Sequence, residues 1–376
     1  MSKKTKILII HPALAPYRID FFNYLYEVYD VHIIFLCENL YSLNFDQSIL
    51  KSQLNGSFEF LTKGITLKST FIYRKGIINV IKRFQPNLVV THEYALISLQ
   101  IAIYKLFDKN YKQFIWTADN RIMLKKSSYL NYLRKKLFLS LVDGISVYTF
   151  EVKDIMMEKF KLKSNFFGVF PNVQNEIYRN KEISENSIEK LPPLIKNLLN
   201  QNVILSVGRL AEVKNIPYLI QAFKLAEKKG LTAKLVIVGD GVLKEELLSS
   251  VGENDNIFMT GKIEGHGLNL FYKVADLFVL PSLYEPFGAV VNESLIFGTP
   301  VFCSIKAGAA NLIESGVNGE LIDPEGAAEK LAEMFLSFFR NKSSINKSLN
   351  KTSLILNSFS SYASKWLPIG LKQESK

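Results

Sequence analysis

Two cysteines, four histidines and two tryptophans in 376 residues leave little material for several kinds of chemistry. Cys37 and Cys303 cannot build a disulfide framework or a cysteine-rich zinc site, and they fit a reduced, cytosolic chain. No uncharged apolar stretch approaches the roughly 18 residues that a membrane span needs. The early basic run Lys3, Lys4 and Lys6 is followed by only four apolar residues, 7–10, before His11. That is too short for a secretory signal and is expected as a first buried strand. No Asp-x-Asp occurs, and no His, Cys and carboxylate set has ligand spacing, so neither a metal nor a cofactor is expected. No G-x-G-x-x-G follows a strand, which removes the dinucleotide fingerprint.

What remains is ordinary globular material: 48% hydrophobic, 22% charged, with 20 Gly and 12 Pro. The length suggests two domains. Charge is uneven along the chain. Residues 1–200 hold 28 Lys and Arg against 17 Asp and Glu, whereas residues 201–376 hold 18 of each. The whole net charge of +11 therefore lies in the first half. A one-sided basic field suits a polyanionic partner such as anionic lipid or a phosphate-bearing acceptor, and is equally a plain Lys-rich composition.

Short apolar runs alternate with helix-spaced segments. Strands are expected at 6–10, 31–37, 87–91, 113–117, 144–148 and 166–170, with helices at 17–28, 76–84, 95–107 and 128–141. The pattern restarts with strands at 203–207, 234–238, 257–259, 277–280 and 301–303, and helices at 216–229, 242–251, 290–297 and 326–339. Such alternation argues for parallel sheets covered on both faces. The expected organisation is a domain over 1–171, a linker over 172–201 carrying Pro192 and Pro193, a second domain over 202–351, and a tail over 352–376. The tail's apolar spacing around Phe359, Tyr362, Trp366 and Leu371 suggests a helix returning to the first domain.

The sharpest motif is Pro281-Ser282-Leu283-Tyr284-Glu285-Pro286-Phe287-Gly288-Ala289-Val290-Val291-Asn292-Glu293, where an apolar strand ends and a helix begins. Gly288 at a helix start lets backbone amides approach an anion, which the helix dipole favours. Glu285 and Glu293 are separated by seven residues and can accept hydrogen bonds from neutral hydroxyls. Amides for a phosphate beside carboxylates for hydroxyls suit a nucleotide sugar. An acidic helix start that merely complements the dipole is the plainer alternative.

This string resembles the E-x7-E signature of the family 4 retaining glycosyltransferases, of bacterial surface-polysaccharide type. Gly298-Thr299-Pro300-Val301 fits the same pattern, and the resemblance runs through about residues 203–335. It implies an α/β GT-B fold, two doubly wound Rossmann-like domains facing a cleft. The activity implied is hexosyl transfer with retention, from a nucleotide-diphosphate sugar to a lipid-linked or surface-polysaccharide acceptor such as lipopolysaccharide, capsule or exopolysaccharide. The matching Arg and Lys of the family hold the donor diphosphate, a role carried here to Arg209 and Lys214, both in the loop after the strand at 203–207. Arg binds two oxygens at once and Lys acts as a point charge. Gly261 and Ile263 fall where the family lays the nucleotide base. Phe287, Gly288, Ala289 and Glu293 complete the implied donor set, and His92, Glu285, Arg209 and Lys214 the implied catalytic set. His92, at a strand end, is preferred over His11, His32 and His266.

Two departures stand out. The family's Gly-rich first loop is replaced by His11-Pro12-Ala13-Leu14-Ala15-Pro16-Tyr17-Arg18, and Gly308-Ala309-Ala310-Asn311 lacks the usual second Gly and Glu. Arg18 and Asp119 are acceptor-side candidates, with a loop cap the alternative for Asp119. Lys125, Lys126, Arg134, Lys135 and Lys136 lie among Tyr129, Leu130, Leu133 and Leu137, and can form a patch for an anionic membrane or a solvated outer helix. No nucleic-acid module is present. The implied protein is a metal-independent enzyme, cytoplasmic and peripheral at the inner face of the cell membrane. The rivals are a non-enzymatic lipid- or polyanion-binding subunit on this fold and a nucleotide-sugar epimerase.

Overall fold

The KILIIH run of Lys6–His11 is buried from its second residue onward, and a strand buried on both faces is what a continuous apolar run specifies. It is β1, the centre of the first sheet. The computed structural model describes residues 4–39, 45–67, 71–176, 191–340, 349 and 351–368. In chain order there follow β2 (Asp30–Phe35), β3 (Ser57–Phe60), β4 (Gly64–Leu67), β5 (Phe71–Arg74), β6 (Leu88–His92), β7 (Lys112–Trp116), β8 (Gly144–Val147) and β9 (Phe167–Val169). All but β4 and β5 join one parallel sheet, ordered β3-β2-β1-β6-β7-β8-β9; β4 and β5 pair with each other as an antiparallel hairpin.

The second sheet comprises β10 (Val203–Val207), β11 (Lys234–Val238), β12 (Ile257–Gly261), β13 (Leu277–Leu280), β14 (Val301–Ser304) and β15 (Gly319–Ile322). Its order is β12-β11-β10-β13-β14-β15, parallel throughout. Each sheet therefore reverses its strand order once, between β1 and β6 in the first and between β10 and β13 in the second. Ligands in open α/β sheets bind beyond the strand ends at such reversals.

The chain forms two compact units, 1–174 with 359–376, and 175–358. The second unit begins earlier than residue 202. Residues Pro193–Leu198 are a helix with Ile195 and Leu198 buried, so the end of the expected linker is core, while 177–190 lie outside the described residues. The expected tail also divides: the Leu354 amide still donates to Leu295 of the second unit, at 2.7 Å. The chain joins the first unit at the short helix Phe359–Ala363. There Trp366 packs fully buried, edge-on to Phe21 and Phe114. Residues 369–376 lie outside the described residues.

Nearly every expected strand and helix forms within two residues of its expected ends. Absent from the sequence reading are β3, the β4–β5 hairpin, β15, and the helices Gln47–Ser52, Arg121–Lys125, Phe150–Phe160, Pro193–Leu198 and Gly265–Val274. β3 and β15 are partly exposed edge strands that lack the continuous buried run of the equally short β8 and β13.

Candidate functional site

In the second unit the end of β10 turns through Gly208 and Arg209 into a tight 3₁₀ turn, Glu212–Lys214. The close approach of neighbouring strand ends explains the glycines. The Gly208 amide donates to Val238 and the Gly239 amide to Gly261, each at 2.9 Å. A Cβ on Gly239 would lie 1.8 Å from the Gly208 carbonyl oxygen. Across the strand-order reversal, the loop after β13 carries Glu285 and ends at Gly288, which adopts φ +94° and starts the helix Ala289–Ile296. Gly288 gives that helix no side-chain cap, and among the described residues the amides of Ala289 and Val290 are the ones left for a ligand, since the Val291 amide donates to the Gly288 carbonyl at 3.0 Å.

Lys214 and Glu285 form an ion pair between these two loops. Their side chains are 17% and 15% exposed, reachable by a ligand yet shielded from most water. The Leu283 amide donates to the Val213 carbonyl at 2.9 Å and fixes the loops beside the pair. Arg209 is exposed and, among the described residues, makes no ion pair. Glu293, just over one turn into the helix, accepts a hydrogen bond from the Tyr272 hydroxyl at 2.8 Å. Tyr272 is fully buried and stacks on Phe297 at 5.7 Å, so the carboxylate is held by a rigid donor.

Phe287 is buried, its carbonyl accepting from the Ala309 amide at 2.7 Å, while the Gly308 amide donates to the Glu285 carbonyl at 3.1 Å. The 308–311 segment, a departure in sequence, is thus pinned by backbone to the Glu285 loop. Ile263 lines an apolar cavity of about 370 Å³ with Pro192, Ile195, Phe258, Thr260 and Phe271; Gly261 ends β12 with φ +74°. The structure thus gathers Arg209, Lys214, Glu285, Phe287, Gly288, Ala289 and Glu293 about the β10–β13 reversal, with Gly261 and Ile263 at the end of edge strand β12 and just beyond it.

In the first unit, His92 ends β6 and is half-buried. His11, at the end of β1, stands beside it with ring centroids 4.9 Å apart, so the site contains the histidine that sequence reasoning ranked lower. His11 is buried, its Nδ1 bonded to the Ala13 carbonyl at 2.8 Å and its Nε2 without a partner among the described residues. Arg18 is 3% exposed. Its guanidinium lies 4.0 Å over the Trp116 ring and donates to the Tyr148 hydroxyl and to Asn172 Oδ1. Among the described residues no carboxylate stands within ion-pair distance of it. Burial, and then the Arg18 charge, push the His92 pKa down to about 3. His11 is likewise held well below its ordinary value by burial, by His92 and by Arg18. Both rings are therefore neutral at pH 7.

Two sequence expectations are corrected here. Asp119 neither caps a loop nor reaches outward: it is 3% exposed, paired with Lys135, and accepts from the Tyr94 hydroxyl at 3.0 Å. Lys135 in turn is buried over the Tyr94 ring and belongs to no surface patch. A buried charge requires a partner, and each supplies the other's. Lys125, Lys126, Arg134 and Lys136 are exposed. Sequence reasoning also missed Glu93, which takes φ +58° and accepts from Thr117 Oγ1 and the Ala118 amide at 2.8 and 2.7 Å. Burial and the neighbouring Asp119 push its pKa up to about 7. Trp116, Tyr148, Asn172 and Tyr272 gave no sequence signal, because an aromatic or Asn in an apolar run reads as core.

Residues 189–353 match the family model for glycosyl transferases group 1. The uncharacterized glycosyltransferase MJ1059 of Methanocaldococcus jannaschii is 33% identical over 237 residues, 60% of this chain and 57% of that protein. The alpha-monoglucosyldiacylglycerol synthase of Streptococcus pneumoniae is 26% identical over 265 residues, 67% of this chain and 59% of that one. The chain thus spans less than two thirds of the length of these relatives. A crystal structure of Anabaena Alr3699/HepE in complex with UDP superposes with a TM-score of 0.70 at 17% identity, covering 98% of this chain and 97% of that one. The fold is GT-B.

Proposed function

We propose that this protein is a retaining glycosyltransferase that moves a hexosyl group from a nucleotide-diphosphate sugar to a hydroxyl of a lipid-linked or surface-polysaccharide acceptor. One observation carries the reading: a Lys–Glu pair beside a helix led by Gly288 at the strand-order reversal of the second unit. Cations and amides answer a diphosphate; carboxylates answer sugar hydroxyls. The match of residues 189–353 to the group 1 model supports it, as does the UDP bound by the structural neighbour.

Arg209 and Lys214 take the diphosphate, whose charge grows as the glycosyl C–O bond breaks, and so favour the transition state over the ground state. The amides of Ala289 and its neighbour add to this. Glu285 and Glu293 accept from donor hydroxyls, and Gly261 and Ile263 flank the base. The acceptor oxygen attacks the anomeric carbon on the face the diphosphate leaves, the hydroxyl proton passing to the departing phosphate oxygen. This preserves configuration without a covalent enzyme intermediate. No Asp-x-Asp motif occurs and, among the described residues, no three His, Cys, Asp or Glu are grouped to hold a metal; the proposed charge balance is therefore by cations of the chain.

The acceptor is assigned to the first unit, at His92; the buried Arg18 stands behind it and acts through its charge and not by touching the acceptor. The membrane partner is assigned to the helix Tyr129–Leu141 and the turn before it. There Tyr129 and Leu130 are 72% and 78% exposed among the exposed Lys125, Lys126, Arg134 and Lys136, a pattern that suits an anionic bilayer surface. No helix among the described residues is long and apolar enough to cross a membrane, and the proposed location is the inner face of the cell membrane.

The test is incorporation of radiolabelled sugar from a panel of nucleotide sugars into total membrane lipid and polysaccharide. Transfer with one donor, abolished in folded Glu285→Ala, is expected. No incorporation from any donor, by protein that binds nucleotide, would favour a binding subunit; donor turnover without acceptor would favour an epimerase.

A further inference from the structure

The cation assigned to the diphosphate is already occupied. Lys214 Nζ is bonded to Glu285, the carboxylate assigned to the sugar, and both are largely shielded from water. The Lys214 chain runs over Gly208, where an added Cβ would lie 3.6 Å from its Cε. The Glu285 Cγ would lie 3.2 Å from a Cβ at Gly288. Both side chains therefore lie against backbone that has no side chain of its own, at the place where a ligand meets the strand ends. An approaching diphosphate meets the Lys214 charge and, beside it, the like charge of Glu285. Like charges in a partly desolvated site oppose each other strongly. A sugar reverses the sign of that contact, because its hydroxyls donate to the carboxylate.

We infer that Glu285 makes the site discriminate between the intact donor and the spent nucleoside diphosphate. The inference rests on the donor reading above. Diphosphate and carboxylate compete for Lys214 Nζ, and only a ligand that also offers hydroxyls to Glu285 offsets that competition. With a nucleotide sugar, Lys214 turns to phosphate and Glu285 to sugar. Once the sugar has been transferred, Glu285 recovers Lys214 and weakens the hold on the product. The pair thus favours product release as well as donor choice.

Titration calorimetry on the full chain tests this with UDP, GDP, ADP and dTDP and their common sugar conjugates. In the unmodified protein the nucleoside diphosphate is expected to bind more weakly than its sugar conjugate; the reverse order overturns the inference without any variant. In Glu285→Gln the diphosphate is expected to bind at least about threefold tighter, and its conjugate no tighter. Unchanged or weaker diphosphate binding by folded Glu285→Gln overturns the inference and leaves the donor site standing. Failure of all four diphosphates and their conjugates to bind the unmodified protein overturns the donor reading and the inference together. Should the Gln variant not fold, judged by circular dichroism, Glu285→Ala replaces it with the same expectations.

Discussion

The rings of His11 and His92 meet edge to face with centroids 4.9 Å apart, at the ends of the two strands that flank the reversal in the first sheet. Both stay neutral in the fold, and this sets a pH dependence. In the unfolded chain each takes a proton below about pH 6.5; in the fold His92 does so only near 3. A lowered histidine pKa therefore removes stability as pH falls below about 6.5, by up to roughly 1.4 kcal/mol per pH unit for each ring. Glu93, raised to about 7, works the other way and adds stability as pH falls through 7 toward its unfolded value. Urea denaturation at pH 7.5, 6.5 and 5.5 should show a net loss on acidification, shallower in His92→Asn and steeper in Glu93→Gln. Parallel curves for all three proteins would contradict the assignment.

Arg18 contributes to that depression through its charge. Arg18→Met, which keeps an apolar chain against Trp116, should raise the His92 titration well above 3 when followed by NMR of the ring protons. An unmoved titration would leave burial as the whole cause.

Lys135 and Lys125 should behave oppositely despite lying ten residues apart. Lys135→Ala strands the buried carboxylate of Asp119 and should cost about 3–5 kcal/mol of stability. Lys125→Ala and Lys126→Ala should leave stability within about 0.5 kcal/mol. Each should weaken binding to vesicles rich in anionic lipid by about 1 kcal/mol. Equal effects of Lys135→Ala and Lys125→Ala on unfolding would refute the division into core and surface.

Two glycines separate close approach from backbone conformation. Gly239→Ala forces a Cβ onto the Gly208 carbonyl and should disrupt the loop that carries Arg209. Gly288→Ala meets a left-handed φ of +94° and a Leu280 methyl at 2.9 Å, and should cost roughly 1–2 kcal/mol. Thermal unfolding should rank Gly239→Ala as the more damaging; the reverse would contradict the strand-end geometry.

Much of this was legible in the chain. Apolar runs such as 203–207 and 277–280 located the central strands, and the strand–Gly–helix punctuation around Gly288 marked the loop and helix start where the candidate site is proposed. Lone side chains were not legible. Lys135 reads as one of a basic cluster, because helical spacing fixes which face it shares but not that Asp119 waits beneath it. Tyr272 and Trp116 read as core and are core; their role in holding Glu293 and Arg18 comes from pairings of residues 21 and 98 positions apart. The division between the units falls inside the expected linker, but the end of that linker is helical: Pro192 and Pro193 signal a break, yet proline is also favoured in the first turn of a helix.

The most direct test of the account is thermal unfolding of the protein with UDP, GDP, ADP and dTDP, alone and as sugar conjugates. A ligand at about 100 times its dissociation constant stabilises by about 2.7 kcal/mol, visible as a shift of a few degrees. A shift with one nucleotide, lost in Arg209→Ala while the unliganded midpoint is unchanged, is the expected result. No shift with any of them, from folded protein, would contradict a donor site at the β10–β13 reversal.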